Sequence, residues 1–267
     1  MYAFTHSDLE AYQPREYILL VGASSGGKTH SILKTAQYLQ RYAPQARMYI
    51  IDTHDGIRKL WKGRFPDLSN LEVYLPQDMD GVVSALHSIV PHVSSQDWIA
   101  AESISQTWDW SQDLGYLAVS GMRKSAYMDR RTGKSLKEMP LIVNPDLFWQ
   151  VVKNAHDRNF MDVLTNEVRC NIILSTTYNP NPGPRARESR RMEEARLLLG
   201  TNVNPDGPPR LVYSVDTVIL AGKDGQGWYS EVLKDRGEEV DGRNIKFKAT
   251  DFYMNLIAER IMARTIP

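Results

Sequence analysis

The chain has 267 residues, 42% of them hydrophobic and 24% charged, which suits one α/β domain with appendages better than two full domains. Lysine plus arginine and aspartate plus glutamate each number 32, so the net charge is zero. This balance excludes a global electrostatic attraction to nucleic acid, and any DNA contact has to come from local basic patches. Cys170 is the only cysteine, which excludes an internal disulfide and a metal site built from several cysteines.

Signals for a membrane or a structural metal are missing from the sequence. No apolar stretch approaches the roughly 20 residues of a membrane-spanning helix, and the first residues do not have the layout of a signal peptide. We therefore expect a cytoplasmic protein without a membrane partner. The six histidines are scattered without the spacing of metal ligands, so no structural metal is expected.

Predicted strands and helices alternate along the chain after an N-terminal arm at residues 1–15. Alternation of this kind is typical of a parallel sheet flanked by helices. Apolar runs predict strands at about residues 16–21, 47–52, 71–75, 97–103 and 171–177. Helical spacing predicts helices at 27–42, 56–61, 77–90, around 108–117 and at 144–168. The last helix has a start signal, because Asn144 is a good N-cap and Pro145 and Asp146 suit a first turn.

The C-terminal part of the chain predicts a hairpin and a tail. Strands at about 215–220 and 228–234, joined by turn residues at 223–227, predict a terminal β-hairpin at the sheet edge. Residues 238–267 are predicted to form a helical tail, with an amphipathic helix near 251–263. The predicted layout is therefore the arm, a core at 16–237 and this tail. The core contains a basic insertion at 107–145 and a basic, proline-rich loop at 178–209.

The segment from Gly22 to Thr29 matches the phosphate-loop pattern GxxxxGK[ST] and lies between a predicted strand and an amphipathic helix. Glycines let the backbone N–H groups turn toward phosphates, and the N-terminus of the helix favours the same anion. Lys28 is expected to reach the β- and γ-phosphates, and Thr29 to ligate Mg²⁺. The alternative is an ordinary glycine-rich turn. The residues predicted to hold ATP are Gly22, Ser24, Ser25, Gly26, Gly27, Lys28, Thr29 and His30.

An acidic residue ends the fourth predicted strand. In phosphate-loop NTPases a charged carboxylate at a strand tip accepts hydrogen bonds from the loop hydroxyl and from magnesium-bound water. Glu102 is predicted to take this role and to contribute to the Mg²⁺ site with Thr29, although the usual residue is the shorter aspartate. The alternative is a polar residue that simply closes a buried strand.

Over residues 16–237 the order of elements resembles the RecA-like ATPase core, and more narrowly phage-encoded RecA-like proteins associated with single-strand recombination. The motifs that carry the resemblance are the segments 22–29, 52–54, 102–103, 175–177, 215–217 and 233–237. The resemblance implies a mostly parallel, twisted sheet with a terminal hairpin, and a ring or filament of identical subunits. It also implies that Lys234 and Arg236 reach the γ-phosphate bound by the next subunit. The alternative is a solvated charged turn.

The acidic positions depart from the RecA pattern. That family has a catalytic glutamate two residues beyond the acid that ends the second strand, and here the position is His54. Asp52 or Asp55 would have to substitute, and a neutral imidazole is a poorer match than a carboxylate beside phosphate and magnesium. We therefore expect a protein that binds ATP well and either hydrolyses it slowly or uses it as an assembly switch.

Two basic segments occupy the places of the DNA-binding loops in the family that the chain resembles. Each contains a tyrosine, and proteins that bind single strands combine cations with aromatic platforms. The alternative is solvated surface. The DNA-binding candidates are Arg123, Lys124, Tyr127, Arg130, Arg131, Tyr178, Arg185, Arg187, Arg190 and Arg191.

The resemblance thus favours an oligomeric ATPase that acts on single-stranded DNA in phage-type recombination or replication. Two other functions stay open. One is a nucleotide-dependent structural or assembly factor with weak or no hydrolysis. The other is a phosphate-loop kinase for a small substrate, with residues 107–150 as its lid.

Overall fold

The computed structural model describes residues 15–132, 144–178, 203, 205–208, 211–236 and 245–248, with backbone alone at 129–132 and 245–248. Strands lie at β1 Tyr17–Val21, β2 Met48–Asp52, β3 Leu71–Tyr74, β4 Trp98–Glu102, β5 Asn171–Thr176, β6 Thr217–Asp224, β7 Gly227–Asp235 and β8 Ile245–Lys248. They form one sheet of order β3-β2-β4-β5-β1-β6-β7-β8. The pairs from β3 to β6 are parallel, and β7 and β8 are added antiparallel.

Helices connect the parallel strands. They are α1 Lys28–Tyr42, α2 Gly56–Arg64, α3 Met79–Ile89, α4 Ile104–Ser120, α5 Lys124–Thr132, α6 Pro145–Lys153 and α7 Leu211–Ser214. After α3 comes one 3₁₀ turn, Val90–His92, and after α6 the chain continues in wider π-helical turns at Asn154–Met161 and Val163–Glu167. The predicted N-cap of α6 is confirmed, because Asn144 Oδ1 accepts a hydrogen bond from the Leu147 N–H at 3.0 Å.

The core lies on both faces of the sheet, which explains the uninterrupted apolar run of β1. Leu19 and Val21 belong to one cluster, with residues of α3 and of the π-helical turns, whereas Ile18 and Leu20 belong to a second cluster with residues of α1. Strands buried on both faces are expected where helices cover a parallel sheet. The result is that the carboxyl ends of six parallel strands meet at one edge, which is where the candidate site lies.

The predicted fold class, an α/β RecA-like fold with a mostly parallel sheet flanked by helices and a terminal hairpin, is confirmed. The prediction that the hairpin forms the sheet edge is wrong, because β8 pairs with β7 outside it, with Tyr229 opposite Lys248 and Val232 opposite Ile245. This strand falls inside the stretch predicted as a helical tail. Its alternation of apolar and basic residues is typical of a strand, but four residues are too short to stand out.

Several other predicted elements lie outside the described residues. They include the arm at 1–14, the loop and helix at 179–200 and the helix near 251–263. Among the helices that the structure describes, none is both long and apolar enough to span a membrane.

Candidate nucleotide-binding site

The loop between β1 and α1 has the backbone that an anion site requires. Ser25 and Gly27 adopt left-handed conformations with φ of 62° and 96°, and the Gly26 N–H donates to the Ala23 carbonyl at 3.0 Å. The first N–H groups of α1, from Lys28 onward, have no partner within the helix. Together with the helix dipole, these donors make the loop a suitable cradle for phosphate.

Neighbouring strands hold this loop in place. The Gly22 N–H donates to the carbonyl of Thr176 in β5 at 3.2 Å. On the other side, a Cβ atom on Gly26 would lie 2.8 Å from the carbonyl oxygen of Ala221 in β6. No side chain fits at that distance, so β6 can approach the loop only because position 26 is glycine. The loop is thus fixed by both strands that flank β1.

Lys28 directs its ammonium group into the loop. Nζ donates to the carbonyl oxygens of Gly22 and Ala23 at 2.8 and 3.0 Å. Burial lowers the pKa of Lys28, and the negative charge of Glu102 opposes that shift. A buried ammonium with backbone partners inside a phosphate-type loop is suited to exchange those partners for phosphate oxygens.

Thr29 and Glu102 bring the P-loop and the fourth strand together. Thr29 Oγ1 donates to Glu102 Oε1 at 2.7 Å, and Glu102 Oε2 is buried without a hydrogen-bond partner among the described residues. Burial raises the pKa of Glu102 to about 7, the charge of Asp52 raises it further, and the Thr29 hydrogen bond and the Lys28 charge act against this shift. Hydroxyl and carboxylate oxygens are ligands that Mg²⁺ prefers, usually beside phosphates and water. The pair therefore fits the predicted magnesium site.

The tip of β2 is occupied by a structural turn. Asp52 is buried, its Oδ1 accepts from the His54 N–H at 3.0 Å and its Oδ2 from the Ile57 N–H at 2.8 Å. Thr53 Oγ1 donates to the carbonyl of Glu102 at 3.0 Å, which ties the turn to β4. Both oxygens of Asp52 are thus engaged with the backbone, and the His54 side chain is exposed.

The same turn lies beside the P-loop helix. A Cβ atom on Gly56 would be 4.0 Å from Cγ2 of Thr29. The neighbouring Asp55 has a left-handed backbone with φ of 54°, and its carboxylate pairs with Arg58 at 2.5 and 2.6 Å in an exposed position. The structure therefore brings the predicted residues Asp52 and His54 to the edge that holds Lys28, Thr29 and Glu102.

Lys234 and Arg236 make contacts within their own chain. Lys234 Nζ donates to the carbonyls of Val212 and Val215 at 2.7 and 2.5 Å, and burial lowers the pKa of this lysine to about 8. Arg236 donates to the Tyr213 carbonyl at 2.9 Å and lies 3.4 Å from Asp216, with 55% of its side chain exposed. These bonds satisfy carbonyl groups at and after α7, and the role toward a neighbouring subunit stays a prediction.

The DNA-binding candidates differ in accessibility. Arg123 is exposed, whereas Lys124 Nζ pairs with Asp109 at 2.6 Å. Tyr127 is only 5% exposed and its ring lies 4.9 Å from that of Tyr116, so its predicted role as an open stacking platform is wrong for this conformation.

The remaining DNA-binding candidates are less informative. Tyr178 is half-buried and forms an isolated β-bridge with Pro205. The side chains of Arg130, Arg131, Arg185, Arg187, Arg190 and Arg191 lie outside the described part of the chain.

One residue near the P-loop was not predicted from the sequence. Trp228, at the start of β7, places ring atoms 3.5 and 3.9 Å from the Cβ position of Gly27, and 45% of its surface is exposed. The available signal was an aromatic residue next to a glycine-rich turn, at the end of a strand that follows the core. That signal does not say which loop the ring will contact.

Comparisons with known proteins add one likeness. The sequence matches no protein-family model and no curated protein. Among solved structures, the ATPase domain of a phage-type replicative helicase aligns over 88% of this chain and 81% of its own length, with 11% identity and a TM-score of 0.41. At this distance the likeness carries no information about ligands or activity.

Proposed function

We propose that this chain binds ATP with Mg²⁺ at the loop between β1 and α1 and hydrolyses it slowly. One observation carries the proposal: the hydroxyl of Thr29 donates to Glu102 at 2.7 Å, while the second oxygen of Glu102 is buried without a partner among the described residues. A buried carboxylate is costly unless a proton or a cation satisfies it. Magnesium held by these two side chains and by phosphates supplies that cation.

The other residues of the site have complementary roles. Lys28 presents its ammonium to the β- and γ-phosphates, and the free N–H groups at the start of α1 donate to the same anion. Gly26 and Gly27 let the backbone come close to the phosphates. Bound Mg²⁺ would neutralise charge on the phosphates during transfer.

Slow hydrolysis follows from the tip of β2. Both carboxylate oxygens of Asp52 accept backbone N–H groups, and the position where the resemblance implies a glutamate is the exposed His54. An imidazole activates water less well than a carboxylate in this place. We expect turnover well below the order of 1 s⁻¹ that is ordinary for NTP-using enzymes.

Phosphate release in the steady state tests this part of the proposal. His54→Glu is expected to raise turnover, and His54→Gln, which is similar in size but is not a base, is expected to leave it at or below the wild-type rate. Wild-type turnover on the order of 1 s⁻¹ or faster would contradict slow hydrolysis. Equal rates for the two variants would show that position 54 does not act on water.

We further propose that the protein assembles into a ring or filament and acts on single-stranded DNA in phage-type recombination or replication. The sequence resemblance supports this, as do the exposed Arg123 and the half-exposed Arg236. A nucleotide-dependent assembly factor that does not act on DNA is the rival function, and the zero net charge favours it.

Light scattering without ATP, with ATP, and with ATP plus single-stranded DNA separates the two functions. Growth in particle size with ATP supports assembly, and a monomer in all three conditions contradicts it. Fluorescence anisotropy of a labelled oligonucleotide should then show binding that falls steeply with salt. No binding at low salt would leave only the assembly factor.

A further inference from the structure

We propose that Trp228, with Lys223 beside it, is the platform on which the base of the bound nucleotide stacks. This inference rests on the proposed nucleotide site and extends it from the phosphates to the nucleoside.

The indole ring of Trp228 lies directly against the P-loop. Its Cε3 and Cζ3 atoms are 3.5 and 3.9 Å from the Cβ position of Gly27, whose φ of 96° disfavours any side chain. The ring can pack there because position 27 is glycine. With 45% of its surface exposed, Trp228 still presents a large aromatic surface next to the loop.

The order of the sheet places Trp228 on the side where the nucleoside must lie. Glu102 ends β4, two strands from β1 on one side, and Trp228 begins β7, two strands from β1 on the other. At the usual spacing each is about 10 Å from β1. Magnesium bridges the β- and γ-phosphates, so the terminal end of ATP faces Thr29 and Glu102. The α-phosphate and the nucleoside therefore extend away from Glu102, toward the β6–β7 hairpin.

The hairpin also brings its tip to the correct edge of the sheet. β6 runs parallel to β1, with Val21 opposite Leu220, so β6 ends at the edge where the P-loop begins. Lys223 and Trp228 are directly opposite each other in the hairpin ladder. The carboxyl end of β6 thus delivers both side chains to the P-loop.

Lys223 adds charge to this platform. Its Nζ lies 5.2 Å from the centre of the Trp228 ring, a cation–π arrangement that holds the ring in place. The ammonium also puts a positive charge beside an anionic ligand. Stacking uses the face of a base and not its edge, so the platform is expected to accept purine nucleotides without distinguishing ATP from GTP.

The experiment compares a ligand that has a base with one that lacks it. Isothermal titration of Mg²⁺-ATP and of Mg²⁺-tripolyphosphate is performed on the wild type, Trp228→Ala and Trp228→Tyr. Stacking on an aromatic ring contributes roughly 1–3 kcal/mol per base, so Trp228→Ala should weaken ATP binding about 5- to 100-fold. Tripolyphosphate affinity should change less than about twofold, and Trp228→Tyr should recover most of the ATP affinity.

Trp149 provides the matched control, because it is also 45% exposed and lies on α6. Trp149→Ala should bind ATP like the wild type. Equal losses of ATP and tripolyphosphate affinity in Trp228→Ala would overturn the inference, since the ring would then only support the loop. Unchanged ATP affinity in that variant would also overturn it. If the wild type bound tripolyphosphate but gained nothing from the base, the phosphate site would stand and the platform would be refuted. If the wild type bound neither ligand, the nucleotide site itself would be refuted.

Discussion

The hydroxyl of Thr29 donates a hydrogen bond to the carboxylate of Glu102 at 2.7 Å, across 73 positions of the chain. One residue begins the helix after the P-loop and the other ends a strand that is separated from β1 by β5. The contact is the point where the phosphate-binding and the magnesium-binding parts of the proposed site meet.

Glu102→Gln is expected to remove the effect of magnesium on nucleotide binding. The amide keeps the size of the side chain and can still accept from Thr29, but it offers no negative charge to a cation. Binding of ATP in EDTA should be nearly unchanged, whereas the gain in affinity on adding Mg²⁺ should shrink about tenfold or more. Titration with and without Mg²⁺ measures this gain, and a variant whose gain equals that of the wild type would show that Glu102 is not at the metal.

The raised pKa of Glu102 predicts a pH-dependent stability of the nucleotide-free protein. The carboxyl holds its proton up to about pH 7 in the folded state but only to about 4.5 when unfolded. Between these values the folded state binds more protons, so the stabilising contribution of protonated Glu102 is lost as pH rises from about 4.5 to about 7. The full difference corresponds to about 3 kcal/mol.

Glu102→Gln isolates this effect, because glutamine stays neutral at every pH. Urea unfolding at pH 5 and pH 8 should show the variant gaining stability relative to the wild type at the higher pH, by up to about 3 kcal/mol. Parallel pH profiles for the two proteins would mean that Glu102 is ionised at low pH in the folded state.

Lys234 and Arg236 should behave differently when replaced. Lys234 Nζ satisfies the carbonyls of Val212 and Val215 in a half-buried position, whereas Arg236 is 55% exposed. Lys234→Met should cost about 1–2 kcal/mol, since solvent replaces part of the lost hydrogen bonding. Arg236→Ala should cost less than about 0.5 kcal/mol. Thermal unfolding of the two variants checks the difference.

Activity then tests whether Arg236 acts on a neighbour. If it stabilises the transition state in the next subunit, Arg236→Ala should keep ATP affinity and lose most of the turnover. Loss of affinity equal to that of Lys28→Ala, or turnover equal to the wild type, would contradict that role.

The sequence predicted most of the sheet because its strands carry a local signal. Strands such as β1 are buried on both faces and therefore appear as continuous apolar runs, and the P-loop pattern fixes the turn that follows. Glu102 could be predicted as well, since it is the acid that ends an apolar strand. These features depend on neighbours in the chain.

What the sequence did not predict depends on contacts between distant segments. Trp228 meets Gly27 only because β6 pairs with β1, and no local pattern states which strands are neighbours. Tyr127 is buried because its ring packs on Tyr116, so a basic stretch that looked solvated has an internal aromatic contact. The π-helical turns after α6 likewise have no signal that distinguishes them from an ordinary helix.

ATP titration of the wild type, Lys28→Ala and Lys34→Ala in Mg²⁺ is the most direct test of the proposed site. Lys28 Nζ lies inside the loop, and Lys34 is on the same helix but pairs with Gln37 at the surface. A hydrogen bond to a charged group contributes roughly 1.5–3 kcal/mol, so Lys28→Ala should lose about 30-fold or more in affinity. Lys34→Ala should bind like the wild type. Undiminished binding by Lys28→Ala, or no binding by the wild type, would contradict the assignment of this loop as an ATP site.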